Sequence, residues 1–186
     1  MSYIELRDTN LVRQDYDYSC GAASLATILK FYYQQDTTEQ DILNKVFEMK
    51  GLKENLTNKL DISFLDLANV AKSYGFRTIA LALDFDALSE LKIPAIVYIK
   101  IRNTEHFSVY KGQSSGFVYL SDPSFGNLKI NRTKFIDSFY KRKDLLYPGK
   151  VLILVNTKVK GNQEFMRLQD NNISYRLFLD SLIHTQ

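Results

Sequence analysis

The sequence predicts an α+β domain with segregated halves, an N-terminal helical half packed on a C-terminal antiparallel β-sheet. Three observations predict it. The first 75 residues carry apolar side chains at helical spacing, broken by polar stretches and cap residues. The next 80 carry short, mostly apolar or alternating runs separated by turn residues. Helices come first and the sheet afterwards, so the sheet is expected to be a meander.

Taken in order, Cys20 to Tyr33 places Ala22, Leu25, Ala26, Ile28, Leu29 and Tyr32 on one buried helix face. A second helix is expected from Thr37 to Met49, with Thr37 and Gln40 spaced as a capping box. Lys50 to Asp61 is polar and reads as a loop. A third helix opens at Ser63, with Asp66 three positions on, and closes at Gly75. Strands are expected over Thr78–Leu83, Ala95–Ile101, Phe107–Lys111, Phe117–Ser121, Leu128–Ile130 and Val151–Asn156, with a short helix near Thr133–Tyr140. Arg102-Asn103, Gly112–Gly116 and Pro123–Asn127 read as the turns between them. Residues 1–157 form the expected domain. Residues 158–186 are expected to be a C-terminal extension, polar to Asn172 and then partly helical on the spacing of Ile173, Leu177, Phe178 and Leu182.

Composition narrows the function classes. The 186 residues suit one domain, and 45% apolar content supplies a core. The net charge of +3 comes with no long basic stripe, the densest cluster being Lys141-Arg142-Lys143 followed by Asp144, so no nucleic-acid partner is expected. The longest apolar runs, Ile93–Ile101 and Val151–Val155, fall short of the roughly 18 residues that read as a membrane span. A single cysteine makes an intramolecular disulfide impossible. With only two histidines, neither a metal site nor a cofactor is expected.

That lone cysteine is the chemical focus. Cys20 opens an apolar-periodic helix, where the partial positive charge of the helix end favours a thiolate. Gly21, Ala22 and Ala23 beside it are small enough for a substrate backbone to approach. The commonest fate of a free cysteine is a small core residue, so the reading needs partners. His106 opens an alternating strand, a rigid place for a general base, whereas the other histidine, His184, lies in the extension. Asp122 ends the next strand, and an antiparallel hairpin would set it beside His106, where a carboxylate can orient the ring. Alone, each residue reads as a surface histidine or a turn-initiating Asp before Pro; the combination points to nucleophilic catalysis. Gln14, six residues before Cys20, is placed to donate its amide, with the Cys20 N–H, to an oxyanion.

The string Gln14-Asp15-Tyr16-Asp17-Tyr18-Ser19-Cys20-Gly21-Ala22-Ala23 resembles the nucleophile segment of the bacteriocin-processing peptidases, papain-like cysteine proteases that cut leader peptides after a double glycine. His106-Phe107-Ser108-Val109 resembles their histidine segment, and Ser121-Asp122-Pro123 with Gly126 their aspartate segment, in the family's order. The resemblance covers about residues 10 to 157. It implies a papain-like fold, Cys20 as nucleophile, His106 as base, Asp122 as orienter and Gln14 as oxyanion donor. It also implies a peptide or protein substrate with a leader segment, and a secretion-system or amyloid-export partner. Two departures stand out. There is no transmembrane span or P-loop, as expected of the standalone members. Ser19 stands where many members have an acidic residue.

Two rival readings remain. One is a non-catalytic leader-docking module or chaperone, although related modules of that kind typically lack the cysteine. The other is a papain-like acyl transferase such as a transglutaminase or amidase. Two bacterial compartments also stay open: the periplasm, with a signal peptide removed from a precursor, and the cytoplasmic face of the inner membrane.

Overall fold

The structure, a computed structural model, describes residues 7–52, 60–101, 104–168 and the backbone of residues 173–174. The expected turn at Arg102-Asn103, most of the loop after Lys50, His184 and the predicted helix beyond Ser174 lie outside the described residues.

Helix α1 (Cys20–Thr27) is buried on every side, not on one face, and runs into a single π-helical turn at Ile28–Tyr32 closed by the Tyr33 amide on the Ile28 carbonyl. A helix surrounded by protein needs small residues to be approached closely, and Gly21, Ala22, Ala23 and Ala26 supply them. These residues therefore serve packing rather than the approach of a substrate: Ala22 and Ala23 have no exposed surface, and a Cβ on Gly21 would lie 3.1 Å from the Phe107 ring.

Helix α2 (Glu39–Lys50) is capped one residue later than the sequence spacing suggested. Thr38 Oγ1 accepts the Asp41 amide at 3.1 Å and Asp41 Oδ2 accepts the Thr38 amide at 2.9 Å, so the box is Thr38 with Asp41 and not Thr37 with Gln40. Helix α3 (Phe64–Ser73) carries the expected Ser63–Asp66 box. Each such cap is worth about 1 kcal/mol.

The sheet follows as β1 (Arg77–Leu83), β2 (Ala95–Ile101), β3 (Thr104–Ser114), β4 (Phe117–Asp122), β5 (Gly126–Asn131), β6 (Gly149–Val155) and the two-residue β7 (Ile173–Ser174). The spatial order is β1-β6-β2-β3-β4-β5-β7, so the sheet is not the plain meander expected: β6 returns to pair between β1 and β2. All neighbours are antiparallel except β5 and β7. Strand β7 takes the place of the first two residues of the expected C-terminal helix.

Two short helices on the remaining face complete the core. One is α4 (Phe85–Ser89), capped by Asp84 Oδ1 on the Ala87 amide at 2.8 Å; at five residues it is too short to show a period in sequence. The other is α5 (Arg132–Phe139). Both sheet faces are thus covered. Helices α1 to α3 pack over Ile96, Phe107, Val109, Leu152 and Leu154, while Phe85, Leu88, Phe135 and Phe139 pack over Val97, Ile99, Tyr110, Val151 and Ile153. This explains why β2 and β6 read as continuous apolar runs.

The chain beyond residue 157 joins the first cluster: Phe165 is buried and Met166 packs beside it, with the Asn162 amide on the Tyr32 carbonyl at 2.7 Å. Lys111, displaced by a bulge between Tyr110 and Gly112, lies 4.8 Å from the Phe165 ring centre, and burial pulls its ammonium down to about 8.

Candidate active site

The sheet positions two of the site residues. Strands β3 and β4 pair Val109 with Ser121, and the same register continued outward sets His106 diagonally across from Asp122 on one face. His106 Nε2 lies 3.0 Å from Asp122 Oδ1 and 2.9 Å from Oδ2. Asp122 is fully buried, and its Oδ1 also accepts the amides of Ser124 and Phe125 at 2.9 and 3.0 Å. The Phe125 ring stands edge-on to the imidazole, with centroids 6.1 Å apart. Gly126 closes this turn at φ +93°, and Arg7 lies so close that a Cβ would overlap its side chain.

The helical half supplies the sulfur. Cys20 is the first residue of α1, which packs on β3, and its side chain lies near enough to the His106 ring to help raise the imidazole. Since Nε2 faces the carboxylate, Nδ1 is the nitrogen left for the sulfur. Burial pulls the His106 imidazole down, but the Asp122 charge and hydrogen bond, and the adjacent Cys20, outweigh it and raise the group to about 10. Burial likewise pushes Asp122 up, and the His106 charge, its hydrogen bond and the Phe125 amide together hold it below the ordinary carboxylate range. The three predicted residues Cys20, His106 and Asp122 therefore meet in one cluster.

Gln14 sits next to the aspartate turn. Its backbone amide donates to the Pro123 carbonyl at 3.2 Å, its Oε1 accepts the Ser124 hydroxyl at 2.6 Å and its Nε2 donates to the Tyr16 carbonyl at 3.0 Å. One amide hydrogen is committed to Tyr16, and the second has no acceptor among the described residues. The loop between Gln14 and Cys20 is braced from beneath: both Glu39 carboxylate oxygens accept the Asp15 amide, at 3.2 and 3.1 Å, and the Ser19 hydroxyl donates to the Tyr16 carbonyl at 2.7 Å. Arg13 donates to the Ser124 carbonyl at 2.6 Å and Asn127 to the Thr9 carbonyl at 2.8 Å, lacing the N-terminal segment onto the aspartate turn.

Cys20 opens on a cleft of about 350 Å³. Tyr18, Leu60, Ile62, Phe64, Tyr98 and Phe107 line it, and Asp17, Asp61, Glu105 and Lys150 carry charge around it. Three of its rings touch: Phe64 and Phe107 have centroids 5.0 Å apart, and Tyr98 and Phe107 5.3 Å. Among the described residues no cluster of His, Cys, Asp and Glu is arranged to hold a metal ion.

Glu39, Arg13 and Ser124 escaped sequence reasoning as site residues. Ser124 lies in the turn expected over Pro123–Asn127, where a serine reads as a turn former. Glu39 carried no signal, because an acid in the first turn of a helix reads as dipole compensation.

Comparison with known proteins adds three findings. The sequence profile of the peptidase C39 family matches residues 8–147. The chain is 35% identical over 132 residues to the probable functional amyloid protease FapD of Pseudomonas fluorescens, and 34% identical over 131 residues to that of Pseudomonas aeruginosa. These alignments cover 71% and 70% of this chain but only 58% and 57% of those proteins, so the chain spans somewhat more than half the length of these relatives. Among solved structures, a double glycine motif protease from an AMS/PCAT transporter, in complex with the leader peptide, superposes with a TM-score of 0.57 at 25% identity, covering 77% of this chain and 89% of that one. The peptidase domain of Streptococcus ComA superposes with a TM-score of 0.61 at 21% identity over 79% and 98%, a likeness of fold.

Proposed function

The chain belongs to the peptidase C39 family, and on that premise we propose that it is a cysteine endopeptidase that removes a leader or pro-segment from an exported peptide or protein, cutting after a Gly-Gly-type site. Cys20 Sγ attacks the scissile carbonyl carbon. His106 Nδ1 carries the thiol proton and delivers it to the leaving amine, and a water then hydrolyses the thioester with the same imidazole as base. Asp122 holds the ring's Nε2–H and stabilises the imidazolium. The second Gln14 amide hydrogen and the Cys20 backbone N–H receive the developing oxyanion.

The observation that carries this reading is the division of the imidazole: one nitrogen engaged by a buried carboxylate, the other left for the only sulfur of the active site. The two FapD proteins favour an amyloid-related export substrate, and the leader-peptide complex of the transporter protease favours a leader held beside the cut. The aromatic walls of the cleft suit an extended segment with a small residue at the sulfur.

The test is incubation of the purified chain with synthetic peptides that carry an amphipathic leader followed by Gly-Gly, read by mass spectrometry. The expected result is a single cut after the second glycine, lost when that glycine becomes Val and lost in Cys20→Ala. Cleavage retained by Cys20→Ala, or leader binding without any cut by the unmodified protein, would refute it, the latter in favour of a docking module. Transfer of the acyl group to an added amine in place of water would point to a transferase.

A further inference from the structure

The segment between α5 and β6 takes no part in the site described above, yet it is the most unusual surface of the molecule. It reads Tyr140-Lys141-Arg142-Lys143-Asp144-Leu145-Leu146-Tyr147-Pro148. Leu145 is 92% exposed, Leu146 74% and Tyr147 53%, three consecutive large apolar side chains facing water. Scattered single leucines on a surface mean little, whereas a contiguous group marks a contact.

The loop is built to present them. Asp144 Oδ1 accepts the amides of Leu146 and Tyr147 at 3.0 and 3.1 Å. The amides of Lys141 and Arg142 both donate to the Pro148 carbonyl at 3.0 Å, closing the base. The Arg142 guanidinium donates to the Tyr147 carbonyl and lies 3.5 Å from Asp144 Oδ2. A loop whose backbone is satisfied this far by its own groups enters an apolar interface at low cost. Arg142 offsets the only acid, so the three cations less one acid leave a charge of +2, on Lys141 and Lys143. Lys143 is exposed and forms no ion pair among the described residues.

We propose that the loop at residues 140–148 docks this protein on an anionic phospholipid surface, with Leu145 and Leu146 entering the headgroup region and Lys141 and Lys143 meeting lipid phosphates. An exposed apolar tip preceded by cations, with a tyrosine beside it, is the pattern of interfacial membrane contact rather than of a groove for a peptide. With so small an anchor the attachment is reversible and salt-sensitive. It also has a geometric consequence. Pro148 and Gly149 lead directly to Lys150, whose ammonium lies 5.5 Å from the Tyr98 ring on the cleft wall. A docked protein therefore holds that wall close to the bilayer, where a segment on its way across would be presented. The binding itself does not depend on the proteolytic reading.

The chain contains no tryptophan, so Tyr147→Trp places a single fluorescent reporter in the loop. With vesicles of equal parts phosphatidylglycerol and phosphatidylcholine, the full chain should co-sediment and the reporter should shift to the blue. With phosphatidylcholine alone, or in high salt, neither should occur. Leu145→Ser with Leu146→Ser should weaken binding at least about tenfold, and Lys143→Glu several-fold, while both variants cut a soluble peptide at the unaltered rate. If the double leucine variant fails to fold, seen as the loss of a cooperative thermal melt, Lys143→Glu and the reporter decide alone. Equal binding to both kinds of vesicle, or undiminished binding by a folded leucine variant, overturns the proposal. So does a protein that ignores vesicles while the leucine variant loses processing of its substrate in cells, an outcome that assigns the loop to a protein partner.

Discussion

The two sides of the active cleft hold their residues by different means. On the sheet side, His106 and Asp122 project from neighbouring strands of one ladder, and the carboxylate is further fixed by the two amides of the turn that follows it. On the helical side, Cys20 sits at a helix start whose N-cap residue, Ser19, makes no side-chain cap. Its approach loop is held by side chains reaching in from elsewhere: Glu39 from α2, and Ser124 and Arg13 across the aspartate turn. The backbone preorganises the base, whereas straps preorganise the nucleophile and its oxyanion donor. Losses on the sheet side should therefore remove chemistry outright, and losses among the straps should degrade it by steps.

The largest effect tests the first half of that contrast. His106→Ala should lower kcat/KM by about 10⁴-fold, the upper range for a general base, with cooperative unfolding retained in a thermal melt. A loss of less than about tenfold would mean that the ladder positions nothing essential.

Asp122→Asn comes next, with an expected loss of about 10²- to 10³-fold from a misoriented ring and an unstabilised imidazolium. It has a second readout, in stability against pH. The folded pKa of Asp122 is depressed, so its contribution is present above the unfolded value near 4 and is lost as pH falls below it. The folded pKa of His106 is raised to about 10, so its contribution is complete below the unfolded value of 6.5 and fades as pH rises toward 10. Unfolding by urea should thus find the pair most stabilising between about pH 4 and 6.5, and Asp122→Asn should flatten both flanks. A variant whose pH profile matches that of the unmodified protein would break the pairing. Asp122→Ala should cost a further 1–3 kcal/mol or so, because the Ser124 and Phe125 amides lose their acceptor.

The same contrast governs how much could be read from the sequence. Elements whose cause is local were legible: the Ser63–Asp66 box, the alternating strands, and the hairpin that brings His106 to Asp122. Cys20 was legible because a sole cysteine opening an apolar helix has few alternatives. The Thr38–Asp41 cap was displaced by one residue because two adjacent threonines, Thr37 and Thr38, offer the same chemistry, and only the backbone decides between them. The straps were not legible, since Glu39 meets Asp15 across 24 residues and Ser124 meets Gln14 across 110. Contacts of that span follow from packing, which no local pattern encodes.

Among the straps, Gln14→Ala should cost about 10²-fold in kcat, the range for one oxyanion donor, with KM little changed. Ser124→Ala leaves the amide in place and frees only its Oε1, so a loss of three- to tenfold or so is expected, at the low end of the cost of one hydrogen bond. The double variant should be no worse than Gln14→Ala alone, because Ser124 acts through Gln14. Full additivity would separate the two residues and remove Ser124 from the site.

The smallest effect is at Glu39. Burial raises this carboxyl, only partly countered by the Asp15 amide that it accepts. A raised folded pKa means that the native state holds the proton more tightly than the unfolded chain, so this group's contribution falls as pH climbs from about 4.5, its ordinary value. Glu39→Gln keeps an acceptor for the Asp15 amide and discards the buried charge. It should leave kcat/KM within about threefold and make stability less dependent on pH above 4.5, with no loss at neutral pH. Glu39→Ala leaves the Asp15 amide without its acceptor and the loop from Asp15 to Ser19 unbraced, and should lower kcat about tenfold, the equivalent of roughly 1.4 kcal/mol. If the two variants behaved alike, the brace beneath the nucleophile would be dispensable, and the positioning of Cys20 would rest on helix α1 alone.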